Sequence, residues 1–166
     1  MIPAFKLNGK EVVYLEYIKN STSVYLDPGV VAISSNGEAI TNITSVIKDI
    51  NDRVVLAISY GQEGIYHIYY DAEYNNQKVR IIRTVIVRDS KAPVITFPTT
   101  TTKVSRSNAA SYNLTGDIVC SDESDCDVVV DRTLPSTIGT YTITYTATDR
   151  SKRKNTSTFR RTIIVQ

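Results

Sequence analysis

The sequence predicts an all-β protein of two tandem domains, and three observations predict it. The first is a line written twice. Gly64-Ile-Tyr66-His-Ile68-Tyr-Tyr70-Asp-Ala72 recurs 75 residues later as Gly139-Thr-Tyr141-Thr-Ile143-Thr-Tyr145-Thr-Ala147. Gly, Tyr, Ile, Tyr and Ala hold register at every second position, the period of a strand with one buried face. The second is composition. Hydrophobic residues make up 42% of the 166 residues, and the aromatics are eleven Tyr and three Phe with no Trp. Tyr, Thr, Val and Ile suit a pleated, half-buried surface, whereas the helix formers Leu and Ala are sparse. The third is punctuation: Asn8-Gly9, Asp27-Pro-Gly29 and Asn75-Asn76 mark tight turns between short apolar runs.

Taken in order, the alternation places strands in the first half near 4–7, 11–18, 23–26, 30–33, 54–59, 64–72 and 79–87. The segment Ile43 to Ile50 reads as a short helical turn. The second half gives strands near 93–97, 101–105, 110–114, 117–120, 127–131, 139–148 and 156–165. Seven short strands per half, separated by turns, indicate two tandem immunoglobulin-like β-sandwich domains. The duplication extends beyond the central line. Arg83-Thr-Val-Ile-Val87 matches Arg161-Thr-Ile-Ile-Val165, Leu26-Asp-Pro-Gly-Val-Val31 pairs loosely with Leu114-Thr-Gly-Asp-Ile-Val119, and Pro3-Ala-Phe-Lys-Leu7 corresponds to Pro93-Val-Ile-Thr-Phe97. Order is kept while spacing drifts, as when strands persist and loops change length. The polar stretch Arg88-Asp-Ser-Lys-Ala92 before Pro93 sets the boundary, giving domains 1–89 and 90–166.

The opening Pro-x-Ile or Pro-x-Leu, the Gly-x-Tyr-x-Ile-x-Tyr-x-Ala strand and the closing Arg-x-Val-x-Val followed by Asp and Pro resemble the tandem Ig-like modules of bacterial surface proteins, of the hyalin-repeat type. Gly139-Thr-Tyr-Thr-Ile-Thr-Tyr-Thr-Ala-Thr-Asp149 is the stretch most similar to them. The resemblance covers nearly the whole chain as two copies. It implies a β-sandwich fold. Modules of this kind serve as spacers, adhesins, accessory domains of enzymes and virion ornaments.

Charge and motifs narrow the chemistry. The formal net charge is +2, too small to indicate nucleic acid. No apolar run approaches the roughly eighteen residues of a membrane span. The one histidine, His67, lies in the repeated strand where the second copy has Thr142, the place of a solvent-facing strand residue. No serine sits in a nucleophile-elbow context, and the seven glycines are scattered among turns. These features predict a protein that is not an enzyme and carries no catalytic residue.

Carboxylates concentrate at Asp122, Glu123, Asp125 and Asp127, between and beside Cys120 and Cys126. The run reads first as a solvated acidic loop. Its alternate oxygens also make it a Ca²⁺ candidate, to which Asp89 and Asp149 would add ligands. No other cofactor is implied. The cysteine spacing suits a small disulfide closing a turn between two strands, which would place the mature chain outside a reducing cytosol. Arg150, Lys152, Arg153 and Lys154 form a basic hairpin tip, a solvated turn or a contact for an acidic partner. Asn20, Asn42, Asn113 and Asn155 head Asn-x-Ser/Thr sequons, glycosylation acceptors if the chain meets that pathway.

The expected role is a non-catalytic structural and interaction protein, docking onto other structural proteins or a surface glycan. The start at Met1, three residues before the first strand and without a signal peptide, favours a virion surface component: capsid decoration, minor capsid or fibre protein. The alternative is an adhesion or spacer module pair of a bacterial cell surface. A third reading is a carbohydrate-binding accessory module, with Tyr14, Tyr17, Tyr60, Tyr69 and Tyr74 as platforms.

Overall fold

The computed structural model describes residues 4–166; Met1 to Pro3, and with them the Pro3 end of the repeat match, lie outside the described residues. The chain divides into two compact units, Met1–Arg88 and Asp89–Gln166. Each is a β-sandwich, so the chain is an all-β protein of two tandem immunoglobulin-like units.

The first unit contains β1 (Ala4–Leu7), β2 (Val12–Glu16), β3 (Val30–Ile33), β4 (Ile43–Asp49), β5 (Val54–Val55), β6 (Gly64–Tyr74) and β7 (Gln77–Arg88). β1 and β3 form a two-stranded sheet; the facing sheet has the order β2-β7-β6-β4-β5. The second unit contains β8 (Val94–Thr96), β9 (Thr101–Val104), the one-turn helix α1 (Arg106–Ala109), β10 (Val119–Ser121), β11 (Cys126–Val130), β12 (Gly139–Asp149) and β13 (Thr156–Val165). Its sheets are β10-β8 and β11-β12-β13-β9. The two units share a plan. The first strand pairs antiparallel with a later one, and the second crosses to run parallel to the last, β2 with β7 and β9 with β13.

The duplicated line builds the core. Tyr66, Ile68, Tyr70 and Ala72 on β6, and Ile143, Tyr145 and Ala147 on β12, are all buried, with Tyr141 half-buried. They pack with Leu7, Ile58, Val85 and Val87 in the first unit, and with Ile95, Val104, Leu114, Leu134, Ile163 and Val165 in the second. The first tyrosine of each copy also donates its hydroxyl four residues back, Tyr66 to the Gln62 carbonyl (3.2 Å) and Tyr141 to the Thr137 carbonyl (2.8 Å). That is the tyrosine-corner bond of immunoglobulin-like sandwiches. It also bears on the glycines. A Cβ on Gly64 would meet the Tyr66 ring at 3.0–3.1 Å, and one on Gly139 would meet the Tyr141 hydroxyl at 3.4 Å. At Gly64 the ring leaves little room for a Cβ, whereas at Gly139 the contact would be an ordinary one.

A second repeated device is a buried arginine. Arg83 and Arg161 are 0% and 1% exposed on the inward face of the last strand of each unit. Arg161 makes a two-pronged pair with Asp117 (2.7 Å each), reaches Thr102 Oγ1 (2.7 Å) and lies over the Phe97 ring. Arg83 donates to the carbonyls of Asn8 (2.6 Å) and Gly29 (3.0 Å) and to the Tyr25 hydroxyl, with Asp27 beside it at 3.3 Å. Asp27 in turn accepts from the Tyr70 hydroxyl at 2.6 Å.

The structure corrects the sequence in four places. Of 54–59 only Val54–Val55 forms a strand. The segment Ile43 to Ile50 is not helical: β4 occupies Ile43–Asp49, its Ile43 and Ile47 packed on the core. Residues 110–114, expected as a strand, follow the single turn of α1 instead. Of 23–26 only Val24 pairs, in an isolated bridge to Ser59.

Candidate functional site

Three carboxylates gather in the second unit from distant parts of the sequence. Asp89 precedes β8, Asp122 follows β10, and Asp149 ends β12; one ligand oxygen from each lies within 4.8 Å of the others. Asp89 and Asp149 are 0% and 1% exposed, while Asp122 is half-buried.

Local geometry explains how each is held. Asp149 organises the turn after β12. Its Oδ1 accepts from the Ser151 amide (3.1 Å), the Ser151 hydroxyl (2.7 Å) and the Asn155 amide (3.1 Å), and its Oδ2 accepts from the Asn155 side-chain amide (2.7 Å). The same Asn155 nitrogen reaches the Asp89 carbonyl at 3.1 Å. Asp89 accepts from the Lys91 amide (3.0 Å) and from the Ser124 hydroxyl. Asp122 accepts from the Ser124 amide at 2.9 Å. Burial, then the hydrogen bond to Asp89 and the charges of Asp89 and Asp149, hold the Asp122 carboxyl above the usual carboxylate range.

The disulfide frames this arrangement. Cys120 and Cys126 are bonded, with Cα atoms 6.2 Å apart. Because Cys120 lies on β10 and Cys126 on β11, the bridge ties the small sheet to the large one around the turn that carries Asp122 and Ser124. Cys126 is also the ladder partner of Asp149.

Of the four acidic residues singled out from sequence, only Asp122 belongs to the cluster. Asp127 is exposed and makes a two-pronged pair with Arg150 (3.0 and 2.6 Å), which holds its carboxyl below the usual range. Glu123 and Asp125 are exposed, Asp125 at φ 57° with its carbonyl taken by the Arg150 amide. The basic tip is a pinned turn: Ser151 is buried, its hydroxyl oxygen accepts from the amides of Arg153 and Lys154, and Lys154 has φ 56°. Lys152, Arg153 and Lys154 are exposed. Among the sequons, Asn155 is committed to Asp89 and Asp149, and Asn113 Oδ1 accepts from the amide and hydroxyl of Thr115. Asn20 and Asn42 are exposed. His67 Nδ1 lies 3.2 Å from the Thr84 hydroxyl on the neighbouring strand.

The donor set fits a hard divalent cation. Three carboxylate oxygens are the ligands Ca²⁺ prefers, and a full shell of six to eight oxygens would be completed by water and nearby carbonyls. Asp149 already accepts four hydrogen bonds.

No family model matches the chain, and no curated protein matches it. Among solved structures the chain is similar to the EC1-2 fragment of human protocadherin-24, at 14% identity over 99% of this chain and 98% of that one, with a TM-score of 0.39. It is also similar to protocadherin gamma C5 EC1-3, at 10% identity over 99% of this chain and 68% of that one, with a TM-score of 0.32. At these values the similarity carries no functional argument. No helix of the described residues is long and apolar enough to cross a membrane.

Proposed function

We propose that this chain is a non-catalytic structural and interaction protein, displayed outside the reducing cytosol and docking onto other structural proteins. One observation carries the reading: the small sheet of each unit turns apolar side chains outward. Val31 and Ile33 on β3 are 43% and 40% exposed, and Val94 and Val119 on β8 and β10 are 53% and 59% exposed. Apolar groups left in water at the same place in both units suit a protein partner. The bonded cysteines favour an oxidising location. A virion surface component and a bacterial cell-surface spacer or adhesin are two placements of this role.

Surface biotinylation of purified particles and of intact cells, read by mass spectrometry, tests the placement. Labelled peptides of this chain on one of the two are expected. A chain found only in the cytosol with free thiols would overturn the proposal. Val94→Ser/Val119→Ser, changed at exposed sites, should keep its melting temperature and lose its place in the particle or envelope fraction.

The carboxylate cluster supports one addition, that Asp89, Asp122 and Asp149 hold Ca²⁺. The ion's contribution would be structural, fixing the Asp122 turn and the 150–155 turn against the start of the unit.

A further inference from the structure

The outer face of the large sheet in the first unit carries side chains that neither the core nor the carboxylate cluster uses. Strand register sets them in rows. Val46, Tyr69 and Ile82 form one row across β4, β6 and β7, and Thr44, Asp71 and Arg80 form the next. Beyond them stands the cross-strand pair Glu73 and Lys78, with Asn42 just before β4. Asn42, Thr44, Asp71, Glu73, Lys78 and Arg80 line a cavity of about 320 Å³. That is the lower end of the volumes that hold small ligands.

The chemistry of this face selects among ligands. Arg80 grips Asp71 through two parallel bonds (2.7 and 2.9 Å), and Lys48 bonds Asp52 at 2.9 Å. The cations Lys48, Lys78 and Arg80 are matched by the carboxylates Asp52, Asp71 and Glu73, so the face offers no net charge to an ion. It offers planar donors and acceptors side by side: a carboxylate edge, a guanidinium edge, a primary amide and a hydroxyl. Vicinal hydroxyl groups, each donor and acceptor at once, satisfy such a set. Next to it the Tyr69 ring is held by Arg80 Cζ at 5.1 Å and Lys48 Nζ at 5.7 Å from its centroid, with His67 edge-on at 6.2 Å. Val46 and Ile82 flank it in the same row, giving an apolar strip beside the polar one. A peptide strand finds no backbone to pair with here, because β6 is hydrogen-bonded to β4 on one side and β7 on the other.

We propose that this face binds a neutral oligosaccharide, with Asn42, Thr44, Asp71 and Arg80 bonding the hydroxyls of one sugar and the apolar row of Val46, Tyr69 and Ile82, with Tyr69 held edge-up by its two cations, lying under the next. The inference holds for either placement of the protein and does not depend on the outward apolar residues of the small sheets.

Isothermal titration of the full chain against cellohexaose, xylohexaose, mannohexaose and N-acetylchitohexaose, with a heparin hexasaccharide as the anionic comparison, tests it. At least one neutral hexasaccharide is expected to bind with a millimolar or tighter Kd. Asp71→Asn and Tyr69→Ala should each weaken it by about tenfold or more, a loss of about 1.4 kcal/mol. Thr44→Ala, at an exposed position, serves where either variant unfolds, and should also weaken binding while Thr158→Ala in the other unit leaves it unchanged. The proposal is overturned if no neutral hexasaccharide binds, if heparin alone binds, or if binding survives in Asp71→Asn and Thr44→Ala.

Discussion

At the scale of single residues, the two buried arginines show how one sequence position takes different partners in the two units. Both stand in inward register with the valines and isoleucines that follow them, so alternation alone put Arg83 and Arg161 in the core. A charge there needs compensation. Arg161 finds a carboxylate, whereas Arg83 relies mainly on the carbonyls of Asn8 and Gly29, with Asp27 further off. The hydrogen bond and charge of Arg161 outweigh burial at Asp117 and hold its carboxyl below the ordinary 3.8. The side chain of Asp117 is 37% exposed, so solvent screens the pair. Asp117→Asn should therefore cost roughly 2 kcal/mol, less than for a fully buried pair. A carboxylate whose folded pKa is depressed contributes stability above its unfolded pKa and loses it as pH falls through the folded value. Thermal melts of the second unit should then weaken as pH falls below about 4, while above that Asp122, whose raised carboxyl takes up its proton earlier in the folded form, adds a small gain as pH falls. Asp117→Asn should flatten part of that slope. Asp127 and Asp131, also held below the usual range, supply the remainder.

At the scale of elements, the repeated strand is the clearest prediction. Ile68 and Ile143 are 2% and 0% exposed at the centres of separate cores. Ile143→Asp would bury a charge without a partner and should unfold the second unit, leaving the first to melt as before; Ile68→Asp should do the converse. Calorimetry of the two variants checks both, and a single lost transition is the expected result in each. The sequence made these strands legible because their alternation is long and bounded by turns. It misread Ile43 to Ile50 because Ile43, Val46, Ile47 and Ile50 also satisfy a helical period. Pairing with β6 on one side and β5 on the other decides the matter, and spacing within the segment carries no trace of it. The candidate site was harder still. The acidic run named Asp122 together with Glu123, Asp125 and Asp127, which stay outside the cluster. Asp89 and Asp149 were legible as added ligands from position alone: Asp89 follows the last strand of the first copy, and Asp149 closes the repeated strand of the second. The disulfide was readable because its spacing is local.

At the scale of the whole molecule, two units with separate cores mean that no single unfolding free energy describes the chain, and two thermal transitions should be resolved. That separation makes the cation reading testable without any assay of function. A ligand that binds the folded form alone stabilises it by RT ln(1 + [L]/Kd), about 2.7 kcal/mol at a hundredfold excess over Kd. For a unit of this size that raises the melting temperature by roughly 10 °C or more. All three carboxylates belong to the second unit, so Ca²⁺ should move that transition and leave the other in place. Asp122→Asn then separates a bound ion from a mere crowding of acids. It removes one of three neighbouring charges, so without Ca²⁺ it should raise the second transition, and with Ca²⁺ it should add little. Reduction of Cys120–Cys126 frees the turn that carries Asp122 and should weaken the Ca²⁺ response in the same unit. If the second transition ignores Ca²⁺ in the unmodified chain while Asp122→Asn still raises it, the three carboxylates are a hydrogen-bonded element of the turn, and the cation reading falls.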